Sequence, residues 1–259
     1  MANPPPKAYR NEDFLGSRDE RELRILSEYL EPEARFERQR IRDTIVFFGS
    51  ARFKDRETAK RMRAEASTDQ EIKRAEQALE GSRYYEAARE LSSRLTKWAA
   101  EVKGEGRNFV ICTGAGPGIM EAANRGAHEA GGPSVGLGIS LPMESQNDYV
   151  SPDLAFQFHY FFMRKLWFAY LAKAFIVFPG GFGTLDELME VLTLQQTAKI
   201  RKPIHTLLYG SKFWKNVVGF DALEELGTID SEDRKLFNFV DSVDEAFDNV
   251  TSWLEETYL

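Results

Sequence analysis

Apolar positions along this chain come in two patterns. Short unbroken runs occur at "IVFF", "FVIC", "FIVF" and "HTLLY", separated by longer stretches in which apolar residues recur at helical spacing. Unbroken runs suit strands buried on both faces, as in a parallel sheet covered by helices. Six strands are predicted: "DTIVFFGSA", "NFVICTG", "SVGLGISL", "LAFQFHYF", "AFIVFPG" and "KPIHTLLYG". The helical stretches between most of them are long enough for crossover connections. The pattern therefore predicts an α/β fold, a Rossmann-like doubly wound parallel sheet of about five to seven strands.

Two regions depart from this rhythm. Residues 1–42 read as a helical N-terminal extension. "NPPP" is non-helical, and "SRDERELRILSEYLEPEARFERQRI" then reads as charged helix with Leu23, Leu26 and Leu30 on one stripe and Pro32 at a restart. A docking helix or a subunit contact is expected of it. Residues 43–259 are expected to form one domain, carrying a helical insertion over about 54–103 whose mixed charge suits solvent or another subunit.

The strand ends carry the chemistry. Ligands of open parallel sheets bind at the carboxyl ends of strands. Three of those ends are small: Gly49-Ser50, Gly114-Ala115-Gly116 and Gly180-Gly181. Missing side chains let a ligand approach the backbone, and a helix start offers unpaired N–H groups to an anion. In "FPGGFGTLDELMEVL", Gly180, Gly181, Gly183 and Thr184 read as a phosphate cradle, with Thr184 able to cap the helix or donate to a phosphate oxygen. Asp186 and Glu187 follow. Asp186 reads as a helix-start acid, favoured by the helix dipole. Glu187, beside an anion site, is expected to point toward another part of the ligand. Glu187 is expected in the first helical turn, where the dipole also keeps it ionised, which suits a base or an electrostatic stabiliser.

Other nucleotide signatures are weak. "TGAGPGIM" is G-x-G-x-G, with Ile119 where a dinucleotide fingerprint has its third glycine, and "SVGLGISL" ends without an acid for a ribose diol. No Gly-Lys-Ser/Thr follows a glycine loop, which argues against triphosphate hydrolysis.

Composition narrows the function further. The 259 residues are 42% hydrophobic and 29% charged, with 34 Lys plus Arg against 41 Asp plus Glu, a net charge of −7. An acidic chain lacks the basic footprint of a nucleic-acid binder. Cys112 is the one cysteine, inside an apolar strand, and reads as packed core. The N-terminus has no apolar core of a signal peptide, and "WFAYLAKAFIVF" is too short to span a bilayer. The expectation is a cytoplasmic protein without membrane contact. His128, His159 and His205 lack metal-ligand spacing, so no metal is expected.

At this point the sequence resembles the LOG ("Lonely guy") family, whose members are often labelled possible lysine decarboxylases. "PGGFGTLDE", Pro179 to Glu187, matches its P-G-G-x-G-T-x-x-E signature; "GAGPGIMEAANRGA" and "FHYFFMRKLWF" resemble its first glycine loop and its Arg-Lys segment. The resemblance covers roughly residues 44–226. It implies a phosphoribohydrolase that cleaves the N-glycosidic bond of a nucleoside 5′-monophosphate, AMP or an N6-substituted AMP (a cytokinin nucleotide), to free base and ribose 5-phosphate. It implies Arg164 and Glu187 as catalytic residues and Gly180, Gly181, Gly183 and Thr184 as the phosphate loop. Gly114, Gly116 and Met120 would border the base or ribose, with Glu121 beside them or serving its helix. Gly49 and Ser50 would touch the nucleotide from the first strand, and Met143, Glu144 and Asn147 would help define the base pocket. A homodimer or higher homo-oligomer is implied, and no organic cofactor.

Two other readings remain: a nucleotide or phosphorylated-cofactor carrier of the same fold, and a pyridoxal-phosphate decarboxylase. The second needs a pocket lysine. The glycine loops hold none, and Lys165 and Lys173, on the preceding helix, read as solvated.

Overall fold

The computed structural model describes residues 5–102, 104–141 and 146–259. In chain order the elements are α1 (Glu12–Leu15), α2 (Arg21–Arg38), β1 (Thr44–Phe48), α3 (Arg56–Glu65), α4 (Asp69–Glu101), β2 (Val110–Thr113), α5 (Ile119–Glu129), β3 (Ser134–Ile139), β4 (Ala155–Phe158), α6 (Phe161–Leu171), β5 (Ala172–Val177), α7 (Phe182–Gln196), β6 (His205–Tyr209), α8 (Ser211–Val217), α9 (Phe220–Glu225), β7 (Asn238–Val240) and α10 (Val243–Tyr258).

The seven strands form one sheet in the order β4-β3-β2-β1-β5-β6-β7. Every pairing is parallel. The chain builds outward from β1 to β4, then returns to lay β5 on the other side of β1. The carboxyl ends of β1 and β5 thus flank the point where strand order reverses, the ligand crevice of open α/β sheets.

Alternate strand residues feed two cores. Val46, Phe48, Cys112, Phe175 and Val177 pack with Trp167, Phe168 and Leu188 of α6 and α7. Ile45, Phe47, Ile111, Ala174 and Ile176 pack with α4, α5 and α10. All six predicted strands form. β7 is the added seventh, only three residues long and within an otherwise polar segment.

The charged segment before β2 divides into two helices. Thr68 closes α4 with a capping box, its hydroxyl accepting from Glu71 N while the Glu71 carboxylate accepts from Thr68 N. α4 is the β1-to-β2 crossover, and one face of it is core: Tyr85, Ala88, Leu91 and Leu95 are buried. Its alternating charges describe the outer face alone.

The N-terminal helix also docks by a different face from the one its leucines suggested. Ile25, Tyr29, Pro32 and Phe36 turn inward, the first two partly buried and the last two buried. Leu23, Leu26 and Leu30 stay about half exposed. Pro32 does not restart the helix; it lies inside α2. Proline leaves the carbonyl four residues earlier without its helical donor. Here that carbonyl, Glu28 O, accepts from Trp167 Nε1 of α6 at 3.0 Å.

Candidate active site

β1, β2 and β5 end at one rim, and backbone bonds join their loops. Phe178 N donates to Phe48 O, Ser50 N to Pro179 O, and Ile119 N to Ser50 O. Gly118, at the start of α5, has φ +69°, and a Cβ there would strike the Ser50 carbonyl. A Cβ on Gly49 would crowd the Ile119 side chain at 2.7 Å. Gly49 and Gly118 are therefore needed for close packing of the two loops. Gly181 and Gly183 differ, since a Cβ on either would enter open space.

Gly181 is the N-cap of α7, and no side chain closes that end. Thr184 does not cap the helix. It is buried in the first turn, its N–H donating to Gly181 O at 3.0 Å, and its side chain fills the place a Cβ on Gly180 would need. The first N–H groups of a helix have no intrahelical acceptor. The start of α7 thus has no side-chain cap and has open space over Gly181 and Gly183, while Thr184 is packed against Gly180.

Because α7 begins at Phe182, Asp186 and Glu187 belong to its second turn rather than its first. The helix dipole falls off within one turn, so the dipole does not hold Glu187 ionised. Glu187 is 2% exposed, and burial pushes its carboxyl up to about 7. Lys165 and Arg164 pull that value down, while Glu190 and Asp186 push it up. Asp186 is exposed, but it is not the helix-start acid expected, since it lies beyond the first turn.

Lys165 is not solvated. Its side chain is 15% exposed, and its ammonium lies 2.5 Å from Glu190, 2.9 Å from Asp186 and 3.6 Å from Glu187. Lys173 opens β5 and pairs with Asp43 at 3.2 Å, away from the rim. Arg164 stands over the Phe161 and Phe168 rings, 5.1 and 5.7 Å from their centroids. A methyl group on Gly114 would lie 3.8 Å from Arg164 Nη1 and 2.9 Å from Met120 Sδ. The structure thus brings Gly114, Met120, Arg164 and Glu187 to one side of the rim. Gly49, Ser50 and the cradle stand at its centre.

Gly116 and Asn147 meet in a role the sequence did not show. Asn147 Nδ2 donates to Ala115 O, Gly116 O and Asn124 Oδ1, at 2.9, 3.0 and 3.0 Å. Buried Asn124 also accepts from Thr113 Oγ1, at 2.6 Å. This chain ties the loop carbonyls back and holds Ala115 at φ +63°. The backbone N–H of Asn147 also goes to Ala115 O. Asn147 therefore clamps the first glycine loop. Glu121 faces away from the rim, accepting from Tyr85 Oη of α4 at 2.7 Å. Met143 and Glu144 lie outside the described residues. Cys112 is buried, and burial raises its thiol far above the ordinary range. Among the described residues no helix is long and apolar enough to cross a membrane.

The family model described as "Possible lysine decarboxylase" matches residues 120–250. The chain belongs to this family, the LOG family. A cytokinin riboside 5′-monophosphate phosphoribohydrolase of Arabidopsis thaliana is 30% identical over 159 residues, 60% of this chain and 68% of the relative. A probable enzyme of the same name from Oryza sativa subsp. japonica is 36% identical over 89 residues. That match takes in 34% of this chain, and the chain spans only 38% of the rice protein. Among solved structures, the X-ray structure of the structural-genomics target TM1055 superposes with a TM-score of 0.51 at 18% identity, over 81% of this chain and 99% of that one. It shares the fold with this LOG-family chain.

Proposed function

We propose that this protein hydrolyses the N-glycosidic bond of a nucleoside 5′-monophosphate, AMP or an N6-substituted AMP, releasing free base and ribose 5-phosphate. One observation carries the reading. Glu187, a buried carboxylate, stands one turn beyond an open phosphate cradle, on the same side of the rim as Arg164 and the first glycine loop. A simple phosphate carrier has no use for a buried acid there, because it repels the anion. The named activity of the relatives agrees with the reading.

The 5′-phosphate would sit at the start of α7, against Gly181 and Gly183. The ribose would then reach toward Glu187. Glycosidic cleavage passes through an oxocarbenium-like state. Ionised Glu187 stabilises that positive charge and orients the water whose oxygen bonds to C1′, while the base departs with the bonding electron pair and takes up a proton. Arg164 binds phosphate or aligns Glu187.

Self-association is part of the reading. α2 and α6 pack on each other and expose Leu23, Leu26, Leu30, Phe162, Leu166 and Tyr170. Exposed apolar faces of this kind mark interaction sites. A homodimer or larger homo-oligomer covers them, and the mass in solution checks it.

The deciding experiment incubates purified protein with a panel of nucleoside 5′-monophosphates and quantifies base and ribose 5-phosphate. Turnover is expected, and it is lost in Glu187→Gln and Arg164→Ala. Binding of AMP without cleavage of any monophosphate would establish the carrier reading instead.

A further inference from the structure

A cleft of about 670 Å³ backs onto the cradle from the other side. Ser50, Pro179 and Gly180 form its inner wall, so it shares that wall with the proposed phosphate site. α4 and α8 form its flanks. Phe53 and Tyr84 stack with centroids 5.7 Å apart and an interplanar angle of 16°, and Phe213 faces the cleft from α8. Both Phe53 and Tyr84 pack on the sheet face opposite the one that α7 covers. Phe213 packs with the α7 side, so the cleft straddles the sheet's rim, but Arg164, Lys165 and Glu187 do not line it, and a ribose held at Glu187 would lie outside it.

Its charge favours an anion. Lys73, Arg83 and Lys212 line it, with Glu76 and Glu80, three cations against two acids. Arg83 is paired with Glu80 at 2.6 Å. Among the described residues Lys73 and Lys212 form no ion pair. Two lysines, three aromatic side chains, with Arg83 over the Tyr84 ring at 4.7 Å, and a volume in the range of small-molecule pockets together suit a phosphorylated group carrying a ring. Because Gly180 lines both the cleft and the start of α7, a group continuing from a phosphate held there would enter the cleft.

We propose that this cleft receives the part of a nucleotide that lies beyond its 5′-phosphate, so that the protein binds pyrophosphate-linked nucleotides. This rests on the proposed phosphate site at α7. The second phosphate lies against Lys73 and Lys212, and the ring it carries lies against Phe53, Tyr84 and Phe213. Ligands of this class gain charge pairing and aromatic contact that a monophosphate cannot make.

The test is calorimetric titration of AMP, ADP and ADP-ribose into the full chain, its Lys73→Ala/Lys212→Ala variant and its Phe213→Ala variant, with AMP hydrolysis followed in parallel. ADP-ribose is expected to bind at least tenfold tighter than AMP, with ADP between them. The ratio of the two affinities should fall toward one in the double-lysine variant and drop in Phe213→Ala. If AMP is bound and cleaved but ADP and ADP-ribose bind no tighter, the cleft proposal is overturned and the monophosphate reading stands. If neither AMP nor any other monophosphate of the panel binds or reacts, the monophosphate reading fails. Lysine-dependent ADP-ribose binding would then still support the cleft, and its absence would overturn both.

Discussion

The Lys165 ammonium stands 3.6 Å from a Glu187 carboxylate oxygen, with both side chains largely withdrawn from water. Burial raises the carboxyl to about 7, and Lys165 is the strongest influence drawing it down. If the working form is the carboxylate, kcat/KM rises with pH through about 7. Replacing Lys165 with Met removes that pull, so the rise moves to higher pH while the Glu187→Gln enzyme loses it. A pH–rate profile decides the matter; a rate that falls across the same interval would make Glu187 a proton donor.

The same shift bears on stability. The folded-state value of Glu187 lies above its unfolded value, so its contribution is complete below about 4.5 and is lost as pH rises through about 7. Glu187→Gln carries no such cost. The variant is expected to be more stable than the parent at pH 8, by roughly 3 kcal/mol for a shift of this size, and to lose most of that advantage at pH 5. Thermal melts at the two pH values measure it.

The glycines separate binding from folding. Gly181 and Gly183 have open space where a Cβ would stand, whereas a Cβ on Gly118 meets the Ser50 carbonyl from a left-handed backbone. Gly183→Ala is expected to leave the melting temperature unchanged or higher, since alanine suits a helix by about 1 kcal/mol, while raising KM for the monophosphate at least tenfold. Gly118→Ala is expected to unfold the rim and lower the melting temperature by several degrees. Equal loss of stability in both variants would contradict the cradle.

Asn147 couples the first glycine loop to the fold. Its amide satisfies Ala115 O, Gly116 O and Asn124 Oδ1 at once. Asn147→Ala leaves those acceptors without it and is expected to cost about 1–3 kcal/mol. Asn147→Asp sets a carboxylate against three oxygens and is expected to be worse in both stability and KM. An Asp variant milder than the Ala variant would show that the amide donates nothing essential.

How much of this was legible beforehand depended on whether the signal was local. The unbroken apolar runs carried six strands, because burial on both faces leaves no alternation. β7 escaped, being three residues in a polar stretch. The cradle was legible because its glycines and Thr184 are contiguous. Asn147 was legible as a site residue but not as the clamp of residues 31–32 positions earlier, since that bond needs the fold. Glu187 was read in the first helical turn, ionised by the dipole, and it is in the second, with its carboxyl raised. Its helix starts at Phe182, two residues before Thr184, and tertiary burial raises its carboxyl. The leucine stripe of α2 was visible, but the face that packs carries Tyr29, Pro32 and Phe36, which helical spacing alone cannot rank above it.

That inner face joins the extension to the chemistry. The Glu28 carboxylate accepts from His159 N at 2.6 Å and Tyr160 N at 3.2 Å, ahead of α6, and its carbonyl holds Trp167. α6 carries Arg164 and Lys165, so α2 sets the position of both. Glu28→Ala removes only the carboxylate. It is expected to lower kcat several-fold, with the pH at which the rate rises displaced as Lys165 shifts against Glu187. Leu26→Ser, on the outer stripe of the same helix, is expected to change the mass in solution and leave that pH unaltered. If Glu28→Ala moves neither kcat nor the pH of the rise, the extension merely decorates the domain.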